Sequence, residues 1–211
     1  MNDLIGNPLT LTASGEIRCV HCGRRTSKSF NQGYCYPCFR SLAQCDRCII
    51  KPEQCHYFNG TCREPEWGEA HCLRDHYVYL ANSSGIKVGI TRGTQIPTRW
   101  MDQGATQALP VFRVKNRLIS GLVEVVLKQH VADKTHWQRM LKGEANPVDL
   151  AARRDELVET CRSELDTITQ QHGEDAITWL EQEQTVDIHY PVETYPAKVT
   201  SFNLDQTPGI S

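Results

Sequence analysis

Nine of the ten cysteines in this chain of 211 residues fall between positions 19 and 72, in a stretch with few large apolar side chains. Cys19-x2-Cys22 and Cys35-x2-Cys38 are separated by twelve residues. Two such pairs, each on a tight knuckle turn, supply four thiolates at the spacing of a tetrahedral zinc site. A third pair, Cys45-x2-Cys48, is followed by Cys55, Cys62 and Cys72, with His56, His71 and His76 close by. A second zinc site is expected on Cys45, Cys48, Cys55 and Cys72, with Cys62 or His76 as substitutes. Sharing of alternate pairs between two metals satisfies the same spacing, and an iron–sulfur cluster would also need only thiolates. Paired knuckles with aromatic and glycine neighbours are the commoner zinc arrangement. No apolar run reaches membrane-spanning length, and the start has neither a basic front nor an apolar signal segment. A cytoplasmic protein is therefore expected, and in a reducing compartment clustered cysteines point to metal rather than disulfides. Zinc then replaces the core that such a segment cannot build.

Charge divides the chain into three. Residues 1–75 are near neutral, residues 76–145 carry ten Lys/Arg against four Asp/Glu, and residues 146–211 carry four against thirteen. A basic centre suits a phosphate-bearing partner, although the acidic third would also neutralise it within one folded molecule. Arg24, Arg25 and Lys28, interleaved with Phe30, Tyr34 and Tyr36, could contact phosphates and stack bases of single-stranded nucleic acid. A solvated loop over an aromatic cluster has the same composition.

The basic centre opens with Tyr77-Val78-Tyr79-Leu80, whose aromatic and β-branched content predicts a strand. Asn82-Ser83-Ser84-Gly85 is a turn signal, and Ile86 to Ile90 predicts the returning strand of a hairpin. Pro97 can open a short helix that Gly104 ends. A third strand is expected over Ala108–Val114, and Asn116 can cap a long helix from Arg117 to Val131. Glu124 is the one acid of that helix, on a narrow polar stripe with Arg117, Ser120, Gly121 and Lys128. His130, Asp133, Lys134, Thr135, His136 and Trp137 crowd its end and could line a cleft.

The stretch from His76 to Ala105, two strands and then a helix bearing an arginine, resembles the core of the GIY-YIG nuclease superfamily. The wording from Cys62 to Ala105 is also similar to a family of cysteine-rich bacterial proteins known only as a domain of unknown function, whose members extend further at both ends. The nuclease resemblance implies that Tyr77 or Tyr79 lies near the attacking water: spacing favours the first and the Val-Tyr wording the second. Lys87-Val88-Gly89 stands where the second motif has Tyr-Ile-Gly, so Lys87 replaces a tyrosine proposed as general base in some relatives. Lys87 could instead hold a phosphate oxygen or transfer a proton at a lowered pKa, or simply guard an edge strand. Arg99 matches the helix arginine that grips the scissile phosphate, with Arg92 as fallback. Glu124 matches the glutamate that binds one catalytic magnesium or manganese ion. An ordinary Glu124–Lys128 helix pair is the plain alternative.

Beyond Asn146-Pro147 a helix is expected to about Gln171, with Leu150, Leu157, Cys161, Leu165 and Ile168 on its apolar stripe. A short helix around Trp179 and strands at Val186–Tyr190 and Val199–Leu204 are expected to follow, and two short strands, Leu9–Thr12 and Glu16–Arg18, are expected before the first knuckle. The whole reads as an α+β protein: a zinc-ribbon-like module over 1–75, a small three-stranded GIY-YIG-like domain over 76–145, and an acidic helix-and-strand region over 146–211. The expected function is nucleic-acid binding, to DNA or RNA, with metal-dependent phosphodiester hydrolysis where the site is intact. Binding without catalysis, and a structural-zinc interaction module, are the rival expectations.

Overall fold

The hairpin is buried on both faces, its side chains alternating between two apolar clusters. In the computed structural model, which describes residues 6–8, 10, 12, 14–131, 136–143 and 145–201, strand β3 (His76–Asn82) pairs antiparallel with β4 (Ile86–Arg92), Tyr79 opposite Gly89. Two short strands precede them, β1 (Ile17–Arg18) and β2 (Arg25–Thr26). The strand β5 (Gln107–Val114) runs antiparallel to β3 on its other side, so the sheet is ordered β4-β3-β5 and extends to β6 (Ile177–Trp179). A further short strand, β7 (Val186–Asp187), also pairs with β5. Pro110 lies within the central ladder, where a missing N–H would leave a gap. The register shifts there: Val78 faces Phe112 and Tyr79 faces Pro110, leaving Val111 as the extra residue of a bulge.

One face of the sheet carries the large core. Val78, Leu80, Val88, Leu109 and Val111 pack against Ile119, Val123 and Leu127 of helix α5 (Arg117–Leu127) and against two later helices, α7 (Leu150–Thr160) and α8 (Arg162–His172). Asn116 starts α5 as expected, its side chain accepting from Ile119 N–H at 3.0 Å. The other face carries a smaller cluster, with Tyr79, Ala81 and Ala108 beneath Trp100 of helix α4 (Thr98–Asp102). Four short helices complete the set: α1 (Tyr36–Ser41), α2 (Arg47–Ile50), α3 (Pro65–His71) and α6 (Trp137–Met140). The chain is thus a mixed α+β protein with its cysteine cluster near the N-terminus. Among the described residues, no helix is long and apolar enough to cross a membrane.

Several local expectations need correction. The helix expected over 146–171 is two helices, broken at Cys161, which keeps its buried place on the apolar stripe. Residues around Trp179 form a strand, not a helix, because the open edge of β5 offers a ladder that outweighs local propensity. Helix α5 stops at Leu127 rather than Val131. Val199 is in no strand, and Phe202 and Leu204 lie outside the described residues, as do Leu9, Leu11, Asp133, Lys134 and Thr135.

The cysteine-rich segment is seated on α5 through a glycine. A Cβ at Gly121 would come within 2.4 Å of Glu53 N and 2.6 Å of Pro52. Backbone cannot move aside as a side-chain tip can, so Gly121→Ala is expected to cost about 1–3 kcal/mol and to part the segment from the helix. Urea denaturation, with proteolysis of residues 45–56 as a local probe, checks it.

Candidate functional site

The first two cysteine pairs converge. Cys19, Cys22, Cys35 and Cys38 place all four Sγ atoms within 4.8 Å of one another, and Cys22 Sγ lies 3.7 Å from Cys35 Sγ. That spacing is far beyond a disulfide, and all ten cysteines are free thiols. Four sulfurs about 2.3 Å from a tetrahedral zinc would sit about 3.8 Å apart, so the tetrad fits such an ion. Backbone N–H groups of His21, Cys22 and Cys35 face Cys19 Sγ, as a knuckle turn requires. The tetrad could therefore hold a metal ion.

The remaining cysteines distribute differently from the expected set. Cys48, Cys55, Cys62 and Cys72 line one small cavity, together with Asp46 and His56. Cys45 does not line it; this thiol is buried and, like Cys19 and Cys38, is close enough to Tyr34 to act on it electrostatically. His76 does not line it either. It is fully buried, shares a 2.7 Å hydrogen bond from Nδ1 to Arg74 O, and is held neutral by burial, its pKa lowered to about 4. Asp46, Cys48 and His56 form a second group whose ligand atoms lie within 4.8 Å of one another and could hold an ion.

Next to this module lies a cleft of about 340 Å³. Arg99 from α4 and Glu124 from α5 both line it, with Arg92 at the end of β4, Gln95 just beyond it, and Arg117 and Lys128 at the two ends of α5. Ile49, Ile50 and Pro52 of the cysteine-rich segment make one wall. Among the described lining residues four cations face one carboxylate. Glu124 lies 3.4 Å from Lys128 and close enough to Arg117 and Tyr79 to act on both electrostatically. Arg117 is tied to the wall, donating from Nη2 to Ile49 O at 2.6 Å and from its backbone N–H to Cys72 O at 2.8 Å. Its Nε is buried without a hydrogen-bond partner, and burial pulls the guanidinium below its ordinary pKa.

Behind the cleft, Tyr79 is wholly buried and braces Arg99. The Gln103 amide joins them: its oxygen accepts from Arg99 Nε at 3.3 Å and Nη2 at 3.2 Å, and its nitrogen donates to Tyr79 Oη at 2.8 Å. Burial pushes the Tyr79 phenol up to about 12, against the opposing pull of Arg99. Gly89 makes room for that ring, since a Cβ there would meet Tyr79 Oη at 2.7 Å. Tyr77 is placed apart, packed over Gly93, and does not line the cleft. Lys87 is buried beside Arg99. Tyr79, Lys87, Arg99 and Glu124 are thus neighbours, but only Arg99 and Glu124 reach the cleft surface. Gln95 and Gln103, and the wall of Ile49, Ile50 and Pro52, were not legible as site residues, because no local pattern marks them.

Burial and then the Arg99 charge lower the Lys87 amine to about 8. In the unfolded chain it titrates near its ordinary value of about 10.4. Between these two values the unfolded state binds the extra proton, so the Lys87 contribution to stability rises with pH across that window. Below it the full cost of burying the charge is present. The stability of wild type relative to Lys87→Met is therefore expected to improve by up to about 3 kcal/mol from pH 7.5 to 10.5. Paired urea denaturation series at both ends of that range measure it.

A family model described as "Protein of unknown function (DUF2797)" matches residues 6–211. No curated protein and no solved structure matches the chain.

Proposed function

This chain belongs to the DUF2797 family, and we propose that it binds nucleic acid in the cleft between Arg99 and Glu124 and hydrolyses a phosphodiester there with the help of a divalent ion. The observation that carries this reading is that Arg99 and Glu124, on different helices, line one cationic cleft of phosphate-accommodating size. The strand order β4-β3-β5, an arginine helix between the second and third strands, and a glutamate helix after the third support the resemblance to GIY-YIG nucleases. Zinc in the thiol tetrad is part of the same reading.

Arg99 presents a planar fork suited to two oxygens of one phosphate, and it meets charge that grows there as the bond to the leaving oxygen stretches. Tyr79 and Gln103 act through Arg99 as positioning residues, holding the guanidinium from behind. Glu124 would hold a magnesium or manganese ion, one carboxylate with water and substrate phosphate completing an octahedral shell. That ion supplies Lewis-acid stabilisation of the leaving oxygen. Lys128, paired with Glu124 at 3.4 Å, would turn to the phosphate when the carboxylate takes the ion. Arg92 and Arg117 provide the remaining positive charge along the strand's path.

A second reading, binding without cleavage, is favoured by two features. Tyr79 is completely buried, away from any attacking water, and Lys87 occupies the place of the second-motif tyrosine. One experiment separates the two. Labelled single- and double-stranded DNA and RNA are incubated with the metal-loaded protein, with magnesium supplied or withheld and no strong chelator present. Magnesium-dependent cleavage that Arg99→Ala removes supports hydrolysis. Binding that weakens steeply with salt, without cleavage, supports the second reading. No binding at low salt contradicts both.

A further inference from the structure

We infer that Cys48, Cys55, Cys62 and Cys72 form a second, four-thiolate metal centre, and that Cys45 is not one of its ligands. The four thiols come from four separate pieces of chain, with spacings of six, six and nine residues. They nevertheless line one cavity of about 10 Å³, about the room a single small guest occupies. Cys48 and Cys55 are close enough to act on each other's ionisation, and Cys62 Sγ lies against the helix glycine Gly68, 3.4 Å from where a Cβ would stand. Ala43, buried beside Cys45, has its N–H taken by the Glu64 carboxylate at 2.6 Å. Cys45 itself is buried, does not line the cavity, and acts electrostatically on Tyr34 as Cys19 and Cys38 of the first tetrad do.

Asp46 and His56 also face the cavity, but their atoms are committed. Asp46 Oδ1 accepts from Arg47 N–H, and Oδ2 accepts from Arg63 Nε at 2.7 Å. His56 Nε2 lies 3.4 Å from the same Oδ2, and its Nδ1 is 2.8 Å from Thr61 Oγ1. An ion on Asp46 would displace a guanidinium from a partly buried carboxylate, whereas an ion on the thiols displaces their protons and one weak bond, from Cys62 Sγ to Glu64 O at 3.6 Å. The thiols are more widely spread than those of the first tetrad, since no three of them lie mutually within 4.8 Å. Binding would draw them inward. Because Cys72 O and Ile49 O, the latter next to Cys48, both accept from Arg117, the centre also fixes one wall of the cationic cleft. The ligand assignment stands or falls independently of what that cleft does.

The test is metal content of the full chain, with metal-edge X-ray absorption on the wild type. Two metal ions per chain are expected, with an all-sulfur shell of four at each. Cys62→Ser and Cys72→Ser are expected to lose one ion each, and Cys45→Ala to keep both. A mixed shell with nitrogen or oxygen would return the second site to Asp46, Cys48 and His56 and overturn the proposal, as would loss of an ion in Cys45→Ala alone. Iron with acid-labile sulfide in place of the second ion would overturn its single-ion form. The wild-type absorption spectrum decides even where a serine variant does not fold.

Discussion

Glu124→Gln is expected to lower magnesium-dependent phosphodiester cleavage by at least about a hundredfold. The amide keeps the size of the side chain but loses the charge that would hold a divalent ion. The cost in stability should be small, about 0.2–0.5 kcal/mol for the lost pair with Lys128. Binding to nucleic acid without magnesium should be unchanged or slightly stronger, because a carboxylate is removed from a cleft otherwise lined by cations. Single-turnover cleavage and a binding titration on the same preparation separate these effects. Cleavage equal to wild type would take Glu124 out of the chemistry and leave the helix pair as its whole role.

Stripping metal from the Cys19–Cys22–Cys35–Cys38 tetrad, or replacing Cys35 by serine, is expected to unfold the segment around it while the sheet persists. Among the described residues, the large core contains none before Val78, so β3, β4, β5 and α5 keep their apolar contacts. Residues around the tetrad have no comparable core. Val20 and Tyr36 are exposed, and a cluster of Phe30, Tyr36 and Phe39 is the main apolar contact there. Structural zinc in small modules supplies on the order of 10 kcal/mol of binding free energy, which is then folding free energy. Limited proteolysis should cut between residues 14 and 41 only after metal removal, and circular dichroism should retain the helical signal of α5, α7 and α8. Simultaneous loss of both would mean that the sheet depends on the module after all.

The parts of this fold legible in the sequence are those set by local chemistry. Turn residues at Asn82–Gly85, aromatic and β-branched content through Tyr77–Leu80 and the cap at Asn116 each marked an element that is present. The Arg99 and Glu124 positions followed from resemblance, and their shared cleft depends on strand order, which no local pattern encodes. The strand at Ile177–Trp179 was hidden because its partner is the far edge of β5, distant in the chain. Which of Cys45 and Cys62 lines the cavity was hidden for a related reason. Spacing groups Cys45 with Cys48, but of the two only Cys48 lines the cavity that Cys55, Cys62 and Cys72 share. Gly89 and Gly121 looked like ordinary glycines in a strand and a helix. Their meaning comes from Tyr79 and Pro52, which press on them from elsewhere.

The most direct measurement is a crystal structure of the protein with manganese and a short phosphorothioate oligonucleotide that resists cleavage. The expected result is an anomalous manganese peak at Glu124, with a phosphate between that ion and the Arg99 guanidinium. Manganese or phosphate bound elsewhere, with Arg99 and Glu124 still facing solvent, would contradict hydrolysis in this cleft.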